Sequence, residues 1–247
     1  DGTLQNIPTT NRDAVGYLLK MDQYLDVIVP RGGRSLIERV IKDSRIHVIR
    51  HLDGICHTYI HKSADIKIAA DVLVNAKMRR PGICGATETL LIDNEILKTH
   101  LSEIINRLKK LKCEVRGDKY IKNSDDSVIL ANEKDWKTEY LDTIISIKTI
   151  KYAVEEAIDH INKYGSNHTD CIISEDKKCR ELFLNKVDSG IVMHNTSTQF
   201  ADGGEFGMGA EIGISTSKLH ARGPVGVSQL TSFKYKVRGN GQIRPWI

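Results

Sequence analysis

The sequence lacks any long apolar run. No stretch of its 247 residues approaches the length of a membrane-spanning helix, and the first residues have none of the pattern of a signal peptide. We therefore expect no membrane partner. Because residue 1 is Asp and not Met, we also expect the sequence to be a piece of a longer protein.

Paired cysteines are also missing. The five cysteines are odd in number and widely spaced, and they form no CxxC pair. This pattern argues against a disulfide framework and against a zinc ribbon. It favours a reducing compartment, and we expect a cytoplasmic protein.

A nucleic-acid groove is not apparent either. The net charge of +4 is mild, and no basic run is interleaved with aromatic residues, so we expect no nucleic-acid partner. Hydrophobic content of 40% and charged content of 28% are ordinary for a soluble globular protein. The length allows a substantial core in one large domain or two smaller ones.

What the chain does contain is an alternation of strand and helix patterns. Compact β-branched runs predict strands, and apolar stripes with helical spacing predict helices. The predicted strands are 25–30, 47–50, 58–60, 89–92, 144–147 and 171–173, and the predicted helices are 13–21, 36–41, 66–77, 96–111, 154–162 and 179–185. Residues 116–127 are polar and predict a loop. The alternation indicates an α/β fold with mainly parallel pairing.

The strongest candidate for a catalytic residue is Cys84, which lies in a tight turn between Gly82 and Gly85. Glycines allow unusual backbone angles and the close approach of another molecule. Guanidinium charge from Arg79 and Arg80 is expected to favour the thiolate, which a nucleophilic cysteine needs. A structural cysteine that only packs in a surface turn remains the alternative.

A second glycine turn, Arg31-Gly32-Gly33, follows the predicted strand 25–30 and precedes a helix. That order directs helix N-terminal N–H groups at a phosphate or a ribose. Arg31 and Arg34 favour an anionic ligand, although the same turn serves any strand-to-helix connection.

Four histidines and Cys56 lie close together in sequence, namely His47, His51, His57 and His61. They fall on strand and turn segments, which should point their side chains in different directions. No carboxylate–histidine helix motif accompanies them. We predict no metal site.

Glycine becomes frequent after residue 189. The glycine-dense stretch 202–213 retains aliphatic and aromatic residues, which favours an ordered loop near a ligand. Residues 232–238 alternate apolar and polar residues as an exposed strand does, and a hairpin-type turn, Asn240-Gly241, follows. Such a strand needs a partner, so a homo-oligomer is expected.

Taken together, these segments resemble the gamma-glutamyl phosphate reductases, a family of the aldehyde dehydrogenase superfamily also called glutamate-5-semialdehyde dehydrogenases. The residues that carry the resemblance are 29–33, 51–57, 75–86, 138–142, 194–207 and 219–226. They follow the order of the family and cover nearly the whole chain.

The resemblance implies an aldehyde dehydrogenase-like α/β fold with three parts. Residues 1–53 would be the remainder of a dinucleotide-binding domain, 54–231 the catalytic cysteine domain, and 232–247 an arm carrying an oligomerisation strand. It also implies that a large N-terminal portion of the family precedes residue 1, so that this C-terminal piece alone could be inactive.

The implied reaction is the NADPH-dependent reduction of L-glutamyl 5-phosphate to glutamate 5-semialdehyde and phosphate, in proline biosynthesis. Cys84 would be the nucleophile, and the cofactor would supply the hydride. By resemblance, Glu139 would hold the nicotinamide ribose, and Arg31, Gly32 and Gly33 would lie near the cofactor phosphates.

Charge and resemblance together suggest Arg79, Arg80, His220 and Arg222 for the substrate phosphate or carboxylate, with surface charge as the alternative. His51 falls where oxidising relatives carry a water-activating glutamate, and a reductase of an acyl phosphate needs no such base. Coupling to a glutamate 5-kinase is a further expectation.

Two other readings stay open. The chain could belong to an NAD(P)-dependent aldehyde dehydrogenase of another substrate, or it could be a non-catalytic assembly module.

Overall fold

The computed structural model describes residues 4–246. Its centre is a seven-stranded parallel sheet of β3 (Cys56–Ile60), β4 (Thr87–Asp93), β5 (Glu114–Gly117), β6 (Ile129–Leu130), β7 (Ile144–Ile150), β8 (Thr169–Ile173) and β9 (Ile191–His194). The order across the sheet is β6-β5-β7-β4-β3-β8-β9, and every pair is parallel. The predicted α/β class with parallel pairing is confirmed.

Two small sheets lie outside the central one. β1 (Val27–Ile28) pairs in parallel with β2 (His47–Val48), and β10 (Gly213–Ser215) pairs antiparallel with β11 (Gly223–Val225). The predicted strands 25–30 and 47–50 are therefore present but shorter than expected.

Seven helices accompany the strands within the described residues. They are α1 (Asp13–Leu18), α2 (Arg34–Asp43), α3 (Ile66–Met78), α4 (Ser102–Lys110), α5 (Lys119–Ser124), α6 (Ala153–Tyr164) and α7 (Lys177–Lys186). Asp65 caps α3 by accepting a hydrogen bond from Ile68 N at 2.9 Å, as a helix N-cap does. No described helix has the length and apolarity required to cross a bilayer.

The helices cover both faces of the central sheet. On one face, α3 and α4 pack apolar side chains such as Leu73 and Ile105 against Leu90 of β4. On the other face, α6 and α7 pack residues such as Ile158 and Phe183 against the same strands. Because both faces are covered, β3, β4 and β8 are buried along their whole length, and apolar residues fill their carboxyl-terminal halves, as in Leu90–Ile92 of β4 and Cys171–Ile173 of β8.

Two predictions of secondary structure need correction. Residues 116–127 are not a loop, because they contain the end of β5 and the whole of α5, whose N-cap Asp118 accepts from the backbone of Tyr120 and Ile121. The helix predicted at 96–111 begins as a 3-10 turn (Asn94–Ile96) and a π turn (Leu97–Leu101) before α4.

The tail forms no strand in the described part of the chain. Phe233, Tyr235 and Val237 are 80%, 85% and 90% exposed, so this alternating segment pairs with no strand among residues 4–246. The oligomerisation strand stays a prediction.

His160, a buried histidine of α6, gives a prediction about the stability of the fold at acidic pH. Burial lowers the pKa of His160 to about 2, with positive charge on His57, Lys148 and Lys163 acting in the same direction. An unfolded histidine has a pKa near 6.5, so below that pH the unfolded chain binds a proton that the folded chain does not. The free energy of unfolding should fall as the pH drops from about 6 to 4, with His160 contributing about 1 kcal/mol per pH unit.

Urea unfolding at pH 6, 5 and 4 measures this contribution. We expect His160→Gln to have the shallower pH dependence, whereas His220→Gln, which removes an exposed histidine, should keep the slope of the parent chain. Equal slopes in all three proteins would contradict the assignment.

Candidate active site

The loops that precede four strands of the central sheet meet at one end of the sheet, where these strands begin. Gly54 lies just before β3, Cys84 before β4, Glu139 before β7 and His168 immediately before β8. Since β3 pairs in parallel with β4 and β8, and β4 with β7, the amino ends of these strands lie side by side. The topology thus gathers residues that are far apart in sequence.

The Cys84 loop connects α3 to β4, and a buried ion pair joins its two ends. Nζ of Lys77, in the last turn of α3, lies 2.6 Å from Oε2 of Glu88 at the start of β4, and both side chains are 0% exposed. Leu141 N donates to the other oxygen of Glu88 at 3.3 Å. Burial raises the pKa of Glu88 to about 7, against the opposing charge of Lys77. The pair fixes where the loop leaves the helix and where it enters the strand.

The backbone at Cys84 packs directly against Gly54. A Cβ at position 54 would lie 2.2 Å from the carbonyl oxygen of Cys84 and 2.5 Å from its Cα, distances that no side chain tolerates. The thiol of Cys56 donates to the same carbonyl at 3.1 Å. Gly54 is therefore required for the position of the cysteine turn.

The Cys84 thiol is half-buried and favours its protonated form. Burial raises its pKa to about 11, and negative charge on Glu139 and Glu211 acts in the same direction. The backbone N–H groups of Cys84 and Gly85 oppose this shift. Glu211 was not among the predicted site residues, because the glycine-dense stretch around it gives no sign of what it faces.

The expectation that arginines lower the pKa of this thiol was wrong. Arg79 directs its Nη1 to Oε1 of Gln199, 3.4 Å away, and lines a separate cavity with Gln199 and Phe200. Arg80 lines the cavity beside Cys84, but neither arginine is among the groups that shift the thiol pKa. Arg79 and Arg80 are therefore close to Cys84 in sequence, but their guanidinium groups do not stabilise its thiolate.

Cys84 borders a cavity of about 470 Å³. The residues around it include Arg31 and Gly32 of the predicted phosphate turn, the predicted ribose ligand Glu139, and Arg80. Gly33 is not part of the lining but forms the N-cap of α2. One cavity therefore joins the candidate nucleophile to most of the candidate cofactor residues.

Two of these residues are held in place by contacts to the backbone. Oε1 of Glu139 accepts from Gly54 N at 2.8 Å, and Nη1 of Arg31 donates to the carbonyl of Ile212 at 3.4 Å. Gly32 has a φ of +154°, and a Cβ there would lie 2.8 Å from Cδ2 of Leu36, so this turn favours glycine. Burial raises the pKa of Glu139, while the Gly54 hydrogen bond lowers it.

Two other charged residues of the predicted sites have protein partners. Arg34 pairs with Glu38 and Asp53, and Arg222 pairs with Asp188 at 2.9 Å. Neither arginine is part of the lining of the Cys84 cavity.

His220 is exposed, and its backbone carbonyl accepts from Nε2 of His47 at 3.0 Å when that nitrogen is protonated. It also lies outside the lining of the Cys84 cavity.

His168 was missed by the sequence analysis. A ring nitrogen of His168, a ring nitrogen of His51 and Sγ of Cys84 all lie within 4.8 Å of one another. Burial lowers the pKa of His168 to about 3 and also lowers that of His51. In the sequence, the one indication of a role for His168 is its position directly before a buried strand. That position places His168 near Cys84 only because β8 lies beside β3 in the sheet, and the strand order is not readable from the sequence.

Comparisons with known proteins agree with this geometry. No family model matches the chain. A gamma-glutamyl phosphate reductase of Paramagnetospirillum magneticum is 58% identical over 242 residues, which are 98% of this chain and 57% of that protein. The crystal structure of the gamma-glutamyl phosphate reductase of Thermotoga maritima superposes with a TM-score of 0.94 at 43% identity, covering 97% of this chain and 57% of that one. The chain thus spans about 57% of the length of these relatives.

A more distant structure has the same fold. An acetylating aldehyde dehydrogenase of Geobacillus thermoglucosidasius superposes with a TM-score of 0.70 at 20% identity, over 94% of this chain and 61% of that one. This superposition shows that the chain has an aldehyde dehydrogenase-like fold. Over 97–98% of its own length, the chain is similar to the gamma-glutamyl phosphate reductases.

The contact between Gly54 and Cys84 gives a testable prediction. Gly54→Ala must displace the Cys84 backbone, and overpacking of this kind costs about 1–3 kcal/mol. In a chain of this size, that cost lowers the melting temperature by about 3–10 °C. Gly213→Ala is the matched control, because a Cβ at Gly213 meets nothing within 4 Å. Thermal unfolding followed by circular dichroism compares the two, and equal melting temperatures would show that the contact is not tight.

Proposed function

We propose that this chain supplies the catalytic cysteine domain of an NADPH-dependent gamma-glutamyl phosphate reductase, which converts L-glutamyl 5-phosphate to L-glutamate 5-semialdehyde and phosphate in proline biosynthesis. The observation that carries the proposal is the single cavity shared by Cys84, Arg80, Glu139 and the Arg31-Gly32 turn. A nucleophile, cationic groups and a ribose acceptor are the parts that this reaction requires.

Cys84 provides the covalent step. Its Sγ attacks the acyl carbon of the substrate, the bond from that carbon to the phosphate oxygen breaks, and phosphate leaves a thioester on the cysteine. The thiol proton moves to a ring nitrogen of His51, which lies within 4.8 Å of the sulfur. The backbone N–H groups of Cys84 and Gly85 are the nearest donors for the oxyanion that forms on the way.

The cavity fits a nicotinamide cofactor, which supplies when bound the hydride that converts the thioester to the aldehyde. Oε1 of Glu139 is held by Gly54 N, which leaves Oε2 to accept from a ribose hydroxyl. Gly32 lines the cavity and precedes the N-terminus of the ten-residue helix α2. Backbone N–H groups at such an N-terminus favour a phosphate.

Among the four candidate substrate residues, the geometry favours Arg80. It lines the Cys84 cavity, and its side chain makes no ion pair with another described residue. Arg222 has Asp188 as a partner, Arg79 faces Gln199, and His220 is exposed outside the cavity. We propose Arg80 as the first ligand of the substrate phosphate, with Arg79, His220 and Arg222 as secondary candidates.

The division of the chain into 1–53, 54–231 and 232–247 is likewise a proposal. It is supported by the separate small sheet of β1 and β2 and by the exposed tail. Homo-oligomerisation through that tail, coupling to a glutamate 5-kinase and a cytoplasmic location are further expectations for the whole protein.

The proposed nucleophile is tested in a chimera in which these 247 residues replace the matching 57% of a full-length relative. We expect the chimera to oxidise glutamate 5-semialdehyde with NADP and phosphate, and Cys84→Ser to lower kcat by at least about a thousandfold, since the nucleophile forms the bond. Cys179→Ser, a change at another half-buried thiol, is the matched control and should retain kcat.

The same assay separates the alternatives. Turnover that does not depend on phosphate would favour an aldehyde dehydrogenase of another substrate, because the reductase needs phosphate to resolve its thioester. A chimera that folds but does not bind NADPH would favour an assembly module. Full activity in Cys84→Ser would contradict the proposal that Cys84 is the nucleophile.

The role of Arg80 predicts a change in phosphate affinity. Losing one charged hydrogen bond costs about 1.5–3 kcal/mol, so Arg80→Gln in the chimera should raise the KM for phosphate about tenfold or more. Arg180→Gln removes an arginine that pairs with Glu181 on α7 and should leave that KM unchanged. Steady-state kinetics at varied phosphate provide the measurement, and an unaltered KM in Arg80→Gln would remove Arg80 from the site.

A further inference from the structure

The cluster of Cys84, His51 and His168 has the composition of a metal site. Its three ligand atoms, one sulfur and two imidazole nitrogens, lie within 4.8 Å of one another, and it is the single such group of three found among residues 4–246. In a tetrahedral zinc site, the bond lengths of about 2.3 Å to sulfur and 2.0–2.1 Å to nitrogen place the donors about 3.5 Å apart. The cluster therefore needs to contract by at most about 1.3 Å, and the half-buried side chains of His51 and Cys84 are the ones that can move.

Both histidines have a buried nitrogen without a partner. Nδ1 of His51 and Nε2 of His168 make no hydrogen bond to any described residue. Nδ1 of His168 lies 2.9 Å from Oγ1 of Thr169, and when Nδ1 donates there, the lone pair is on Nε2. A bond from the second ring nitrogen to a polar group is the usual arrangement of a metal-binding histidine. Buried polar atoms normally find partners, so the two free nitrogens need an explanation.

The surrounding charges favour a cation. The carboxylates of Glu139 and Glu211 act on Cys84, and that of Asp53 acts on His51. Arg31 is the opposing positive charge near His51. Arg80 also lines the cavity, and Arg34 pairs with Asp53, so the charges that favour a divalent ion are the two carboxylates that act on the sulfur, Glu139 and Glu211.

We propose that Cys84, His51 and His168 bind one zinc ion, with the fourth position open to water. A thiolate with two imidazoles suits Zn²⁺, whereas Mg²⁺ and Ca²⁺ prefer oxygen ligands. On binding, a Zn–S bond forms and the thiol releases its proton to solvent, with no change of oxidation state.

The consequence for turnover depends on the proposed function. A sulfur bonded to zinc cannot attack an acyl phosphate, so zinc masks the nucleophile reversibly. Binding itself does not depend on that function and is measured without substrate.

The experiment titrates Zn²⁺ into the metal-free 247-residue chain against a chromophoric chelator, with Co²⁺ as the spectroscopic probe. We expect one Zn²⁺ per chain and a thiolate-to-cobalt charge-transfer band. Cys84→Ser should abolish the band, and His168→Gln and His51→Gln should each weaken zinc binding at least about tenfold. His51→Gln, at a half-buried position, keeps the test decisive if the buried His168→Gln fails to fold.

Two matched controls separate the site from other thiols and imidazoles. Cys179→Ser changes another half-buried thiol, and His160→Gln changes another buried histidine whose Nε2 has no partner. Both should bind zinc as the parent chain does. Less than one Zn²⁺ per chain, or equal binding in all variants, would overturn the site.

In the chimera, zinc should inhibit turnover and a chelator should restore it. Stoichiometric zinc binding without inhibition of an active chimera would overturn the masking role while leaving the site. An inactive chimera whose isolated chain still binds zinc would count against the proposed function alone.

Discussion

The buried ion pair of Lys77 and Glu88 is the constraint on which the site depends. Both side chains are fully buried, and their atoms lie 2.6 Å apart. The pair joins the last turn of α3 to the first residues of β4, so the ten residues between them must form one closed loop. Removing one partner of such a pair leaves an unpaired buried charge, which commonly costs 3–5 kcal/mol. Cys84 lies within this loop, and its backbone is then fixed from the other side by Gly54.

This arrangement also explains why the thiol rests in its protonated form. Open α/β sheets commonly bind ligands at the carboxyl ends of their strands, whereas here the site lies at the amino ends, where the loops before β3, β4, β7 and β8 meet. Burial raises the pKa of the cysteine thiol, and two carboxylates act in the same direction: Glu139 from the loop before β7 and Glu211 from the loop before β10. A protonated thiol beside neutral imidazoles is a stable resting state, so the proposed reaction requires that the thiol proton be moved.

The errors of the sequence analysis share a physical cause, which is that local polarity does not report tertiary contacts. Residues 116–127 are mostly polar, yet Ile121 is buried and Asp118 caps a helix. Arg116 is a charged residue within β5, and its charge is balanced because it pairs with Glu114 and Asp135. Arg79 and Arg80 are adjacent to the cysteine loop in sequence, but the helix end directs one of them towards Gln199.

The sequence by itself determined the α/β class, most of the strands and helices and the resemblance to the gamma-glutamyl phosphate reductases, because periodicity and motifs are local features of a chain. It also identified Cys84 and the Arg31-Gly32 turn as candidate site residues, because glycines next to a cysteine or an arginine can be read directly from the sequence. Only the tertiary structure decided that His168, Glu211 and Gly54 meet Cys84. The order and parallel pairing of β3, β4 and β8 bring Gly54 and His168 to Cys84, whereas Glu211 comes from the loop before β10. No local pattern in the sequence encodes either placement.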